Sequence, residues 1–199
     1  MRKPDPIKFD IVRDEILRAA MGLFKTYGLD KTTMEDIADA AGKGKSTLYY
    51  YFKTKEDVFY AAAMLESGRM QEALESGLRS AKSAEEKVKL FFSIQDNALR
   101  TKVKLYPMIF KEGRKHIQLF HRMQRESNTW EAHIFKSLLY EGIASGAFRS
   151  IKKEDCDAIA LAAVTSLHAA QLNVLIEGKM PSASDRFEVM MDIFVRGLK

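Results

Sequence analysis

The chain contains one cysteine, Cys156, so no intrachain disulfide can form and the fold must be held by packing. Four prolines and eleven glycines in 199 residues exclude a collagen-like or low-complexity chain. No run of roughly 18 apolar residues stands out, so no membrane span is expected. The opening MRKPDPIKFD lacks an apolar stretch and is not expected to be a signal peptide. Alternation of apolar and polar residues between turn signals is missing, which argues against sheet. No internal repeat is evident. These absences together predict a cytoplasmic protein with no membrane partner.

The composition that remains is that of a globular domain: 46% hydrophobic and 30% charged, enough chain for one or two small domains with a real core. The formal net charge is +5, which suits a polyanion only if it is concentrated. It is concentrated in two places. Residues 40–55 carry Lys43, Lys45, Lys53 and Lys55 without an acid, and residues 100–125 are basic with only Glu112 against them.

Apolar spacing is helical nearly throughout. The expected fold is all-α, with about nine helices. The first covers about 10–27, with Ile16, Ala20 and Phe24 inward, and stops at Gly28. Thr33 and Asp36 stand at capping-box spacing before a short second helix that ends at Gly42. A third, about 45–52, buries Leu48 and Phe52. Thr54 and Ser83 cap the fourth and fifth. Pro107 introduces a short sixth, and the seventh ends in the run EGIASG at 141–146. The eighth, about 155–177, is alanine-rich. The ninth, about 184–198, is apolar nearly all round and therefore needs cover on more than one side. Its companion face is expected to form a homodimer through Ala163, Leu167, Ala170, Met190, Met191 and Phe194. Burial within one chain is the alternative.

Three short helices with a glycine turn between the second and third describe a helix-turn-helix. Such a unit needs one polar helix face for the major groove and one apolar face against a scaffold. On the third helix Lys45, Ser46, Tyr49 and Tyr50 project opposite Leu48 and Phe52. That face offers an amine, a hydroxyl and two phenols, and no carboxylate.

Through Ile16-Leu17, Ala20, Phe24, Gly28, Thr32-Thr33, Ile37-Ala38, Ala41-Gly42, Thr47-Leu48-Tyr49, Tyr51-Phe52 and Lys55-Glu56 the chain resembles the TetR family of bacterial regulators. The resemblance implies a helix-turn-helix domain over 1–54 and a ligand-binding and dimerisation domain over 55–199. It implies phosphate contacts from Thr33, Tyr49, Tyr51 and Lys55, and base reading from Lys45, Ser46 and Tyr50, with Thr47 on the same helix. The family pattern has valine-serine where this chain has Lys43-Gly44. Lys43 is therefore expected to lay its stem in the turn and offer its amine to phosphate. The expected partner is a palindromic operator in double-stranded DNA, and the expected role is a repressor released by a small molecule.

Other readings are weaker. Gly44-Lys45-Ser46 matches the end of a P-loop, but Asp39 stands where the first glycine belongs and the preceding segment is helical. The four histidines show no ligand spacing and no cysteine pair supports them, so no metal, cofactor or enzymatic activity is expected. A helical interaction protein that binds no specific DNA remains a third reading. A mostly apolar effector pocket is expected from Phe91, Gln95, Phe110, Met123, Ser127, Trp130 and His133, for a small apolar or amphipathic molecule. Ordinary core packing is the alternative for each.

Overall fold

The computed structural model describes residues 6–177 and 187–199. Among them all regular structure is helical: α1 (Pro6–Lys31), α2 (Met34–Ala40), α3 (Lys45–Tyr51), α4 (Lys55–Ser80), α5 (Ala84–Leu105), α6 (Pro107–Glu112), α7 (Ile117–Ala144), α8 (Cys156–Glu177) and α9 (Phe187–Leu198), with one 3-10 turn before α8. Starts and stops follow the chemistry of the residues. Thr33, Thr54 and Ser83 cap α2, α4 and α5 through their side-chain oxygens, each satisfying an amide that the first helical turn leaves unpaired.

The first helix runs on past its expected end, but it is broken there. Gly28 has φ 84° and ψ 177°, and a further turn follows it before α2. After α2 the backbone closes a complete Schellman motif: Lys43 N–H donates to Ala38 C=O at 2.9 Å and Gly42 N–H to Asp39 C=O at 3.0 Å, as the αL residue at this position requires. Replacing valine-serine by Lys43-Gly44 has therefore left the turn between α2 and α3 fully hydrogen-bonded.

Three apolar cores follow. The first joins α1, α2 and α3 through Ile16, Phe24, Ile37 and Leu48 and continues into Val58, Phe59 and Ala62 of α4 and Ile109 of α6. The second fills the far half, with Phe91, Phe92, Phe135, Phe148, Cys156 and Val195. The third is small: Phe110, Val174 and Leu175. The proposed split at residue 54 thus cuts through the first core.

Phe91 is a correction. It was expected to face an effector, but it is fully buried and packs edge-on to Phe92 and tilted on Phe135. Phe194 packs on Phe92 and Phe135 at 5.6 and 6.1 Å between ring centroids, so its main partners lie in its own chain. Met191, Ala163 and Leu167 lean on the same core. Apolar residues of α8 and α9 that stay outside include Ala170, Met190, Leu161, Val189 and Ile193, the last 67% exposed. A second correction concerns α8. By length and mean hydropathy (1.7) residues 153–177 are apolar enough to cross a membrane. Alanine-rich composition produces this value, and the helix packs along α7 with His168 turned inward.

Gly142 sits where α7 meets the segment after it, and a Cβ there would fall inside the Phe148 ring. Gly142→Ala should therefore overpack the core and cost about 1–3 kcal/mol, lowering Tm by roughly 2–4 °C per kcal/mol. Gly22, inside α1 with open space around it, should respond with the opposite sign: Gly22→Ala should gain about 0.5–1 kcal/mol. Thermal unfolding of both variants checks the pair.

Candidate DNA interface and effector cavity

α3 exposes a continuous polar surface. Lys45, Ser46, Tyr49 (41% exposed) and Tyr50 (57% exposed) face outward while Leu48 is fully buried. Gly44 caps the helix in extended geometry with no side-chain bond. The helix itself carries no acid. One acid reaches the surface from α2: Glu35 pairs with the Lys45 ammonium at 3.1 Å, both well exposed, and this contact holds the Glu35 carboxyl below the ordinary range. An exposed pair of this kind is weak, so Lys45 can exchange it for DNA.

The other expected DNA contacts are placed less simply. Thr33 is exposed, with its hydroxyl engaged by Asp36 at 2.7 Å in the capping box. Thr47 is half-buried. Tyr51 turns back, tilted on Phe9 at 4.5 Å between centroids, so its ring helps to fix α3 on α1. Lys43 is half-buried, and its ammonium pairs with Glu15 of α1 at 2.7 Å.

Lys55 departs furthest from expectation. Its Nζ donates to the carbonyls of Leu29, Asp30 and Thr32 at 2.7, 3.0 and 3.0 Å. An ammonium has three donors, so all of them are spent within the protein. The expected phosphate contact is replaced by a tie between α4 and the corner after α1. The reason is the end of α1 at Lys31, which leaves these carbonyls without helical partners.

The same break leaves amides unpaired, and one carboxylate from α6 takes them. Glu112 Oε2 accepts from Leu29 N–H at 2.7 Å and from Asp30 N–H at 3.1 Å, in a buried setting. Its carboxyl group lies so close that a Cβ on Gly28 would stand 2.5 Å from Oε1. Glycine is required here twice, for its positive φ and for this approach. Alongside, the Asp30 carboxylate binds Lys115 at 2.5 Å and His116 at 2.7 Å. Asp30, Glu112 and His116 bring three potential metal-ligating atoms within 4.8 Å of one another. Each is already partnered by protein, so the cluster reads as a polar joint between α1 and α6.

Between the three cores lies a cavity of about 180 Å³. Phe59, Ile109, Leu74, Phe110, Met123 and Trp130 give it apolar walls, while Gln95, Ser127, Gln71, Gln124 and Gln171 supply amides and a hydroxyl. Five of the seven expected effector residues line it: Gln95, Phe110, Met123, Ser127 and Trp130. Phe91 is in the core behind. His133 is exposed on the outer side of α7, a register error: the histidine at the cavity is His168, buried, with Asn128 on its Nδ1 and Glu131 at 2.9 Å from its Nε2. The contribution of α4 was missed. Met64, Ser67, Gln71 and Leu74 fall at i, i+3, i+7 and i+10 on one face, and polar residues on an otherwise apolar stripe were the available signal. Cys156 is buried, its thiol is pushed up chiefly by that burial, and its Sγ lies on the Lys152 carbonyl.

The two lysines of the helix-turn-helix should separate in a stability measurement. Lys55→Ala strips three bonds from one ammonium and should cost about 1.5–3 kcal/mol. Lys45→Ala should stay within about 0.5 kcal/mol of the parent. Urea denaturation decides it, and equal midpoints for the two would show that the Lys55 tie carries no stability.

Comparison with known proteins gives a consistent result. The family model for bacterial regulatory proteins of the tetR family matches residues 16–62. The chain is 33% identical over 144 residues to the HTH-type transcriptional repressor KstR2 of Rhodococcus jostii (strain RHA1), covering 69% of this chain and 68% of that one. Among solved structures it is similar to the fatty acid degradation regulator FadR from Bacillus halodurans, with TM-score 0.68 and 21% identity over 98% of this chain and 97% of that one. It is also similar to the regulator FadR from Bacillus subtilis in complex with stearoyl-CoA, with TM-score 0.63 and 19% identity over 94% and 99% of the two chains. The matched relatives are transcriptional regulators rather than enzymes, and the P-loop reading falls with the observation that Gly44-Lys45-Ser46 opens a helix preceded by another helix. Motif, fold and relatives agree that this chain belongs to the TetR family of bacterial regulatory proteins.

Proposed function

We propose that this DNA-binding transcriptional regulator is a cytoplasmic, homodimeric repressor that leaves its operator when a small apolar or amphipathic molecule enters the cavity between the three cores. The observation that carries the reading is the double role of α6. Its six residues present Ile109 and Phe110 to the cavity and Glu112 to the corner between α1 and α2. A ligand that displaces α6 acts on the bonds that seat the DNA-reading unit.

The cavity volume supports displacement. At about 180 Å³ it is smaller than the ~300 Å³ from which drug-sized sites begin. A larger ligand, such as the stearoyl-CoA carried by the Bacillus subtilis neighbour, would have to part the walls. Coupling of this kind is reciprocal: a ligand that lowers DNA affinity binds the DNA complex more weakly by the same factor.

The dimer reading rests on the exposed apolar surface of α8 and α9, where Leu161, Val189, Met190 and Ile193 are each more than half exposed. Such a surface marks an interaction site. Ile193→Asp should therefore give a folded monomer, whereas Phe194→Asp should damage the core that Phe92 and Phe135 form with it. Analytical ultracentrifugation with circular dichroism distinguishes the two, and an undisturbed Ile193→Asp dimer would place the interface elsewhere.

Two copies of α3 imply a near-palindromic operator with half-sites roughly 34–36 Å apart or a multiple of that. Lys45 and Tyr50 are the side chains best exposed for base edges. Lys45→Ala should weaken operator more than scrambled DNA, by about 1–3 kcal/mol of discrimination. Gel shifts on genomic fragments identify the operator, and the variant is then measured on both DNAs at several salt concentrations. A parallel loss on both would reduce Lys45 to a backbone contact.

A further inference from the structure

Two polar side chains of α5 line the cavity with no hydrogen-bond or ion-pair partner among the described residues. Gln95 is buried. Lys102, seven residues on, lies on the same helix face, about 10 Å further along the axis at ~1.5 Å per residue. Burial pulls the Lys102 pKa below the ordinary lysine value, against the opposing pull of Glu66 and Glu131. Buried polar groups ordinarily have a partner, and a half-buried ammonium turned to a cavity without one is costly to leave so.

Of the nearby acids, Glu66 accepts from the Tyr106 hydroxyl at 2.5 Å, and Glu131 Oε2 lies 2.9 Å from His168 Nε2 but makes no hydrogen bond of good geometry. Neither lies within ion-pair distance of Lys102, so the donors of this ammonium are directed to whatever the cavity holds. The Gln95 amide accepts and donates equally well and does not select the ligand's charge; Lys102 does. The two carboxylates limit that charge to one, because a dianion would meet repulsion from both across a space of low dielectric.

We propose that the cavity binds an apolar monocarboxylate, with its carboxylate held by the Lys102 ammonium. The inference rests on reading the cavity as the effector site and adds the chemical class of the effector. The apolar body then lies among Met123, Leu74 and Trp130. A charge-assisted bond in a water-poor site is stronger than its neutral counterpart, so the head group, more than the chain, sets the preference.

Trp130 is the single tryptophan of the chain and lines the cavity, so its fluorescence reports occupancy. The full-length protein is titrated with octanoate, 1-octanol and octylamine, which share one apolar body. Octanoate should bind saturably and about tenfold or more tighter than octanol, with octylamine weakest. Lys102→Met should bind octanoate and octanol alike, at the parent's affinity for octanol, which also shows that the variant is folded. Lys102→Arg should keep the preference for octanoate. The proposal is overturned by tightest binding of octylamine, by equal binding of octanoate and octanol to the parent, by a preference that survives in Lys102→Met, or by a Trp130 signal that octanoate leaves unchanged. A gel shift on genomic DNA with the same protein tests the regulator reading separately, since failure to bind DNA would overturn that reading whatever octanoate does.

Discussion

One carboxylate joins the part of the molecule that meets DNA to the part that holds the cavity. Glu112 reaches from α6 into the break at Gly28 and takes the two amides the break exposes, while Lys55 takes three carbonyls on the other side. The corner between α1 and α2 is thus held by opposite charges, each bound to the backbone groups that suit it. Removing Glu112 would leave the buried Leu29 amide without a partner, at about 1–3 kcal/mol, whereas the carbonyls held by Lys55 are part-buried or exposed. The break has a structural purpose: a helix continuous through Gly28 would offer no amides to α6. The position of α2 and α3, and with them the whole reading surface, depends on how this corner is held.

The cavity is the other consequence of joining two halves. Three apolar cores meet without merging, and the residues between them are long, flexible or polar. Methionines and glutamines recur there, with Lys102, Glu66, Glu131 and His168 among them. Methionine fills irregular space and adapts to change, and the polar groups require partners. Such a lining is poorly suited to a dense core and well suited to a space that is sometimes filled. α6 forms one wall of it and also supplies Glu112, so occupancy and the state of the corner share one short helix.

Much of this was legible in the sequence. Helix order, the caps at Thr33, Thr54 and Ser83, the turn at Gly42 and the outward face of α3 all follow from local rules that act within a few residues. Five of seven cavity residues were also found, because aromatic and methionine content on amphipathic helices points inward. What failed was whatever depended on a partner distant in sequence. Lys55 reads as a free cation beside a DNA-binding helix until the broken helix some 25 residues earlier is seen to offer it carbonyls. Phe91 and His133 were misplaced because neighbouring registers of a helix can each pass for the inner face, and only packing chooses between them. Glu112 stood out in the sequence merely as the lone acid in a basic stretch, and nothing local marked it as the group that pins Gly28. Lys102 passed for one of many surface cations because only the packing around the cavity makes it half-buried.

The first core has a bearing on how such proteins can be recombined. It draws Val58, Phe59 and Ala62 from α4 and Ile109 from α6 into the packing around α1, α2 and α3. The boundary at residue 54 therefore separates tasks but not folding units. A DNA-reading head cut at that point and grafted onto another regulator would leave behind part of its own interior and the carboxylate that closes its corner. Modularity in this molecule is not a property of contiguous segments. The first sixty-odd residues share their interior with one short helix from far along the chain, so a graft that keeps the first without the second leaves that interior incomplete.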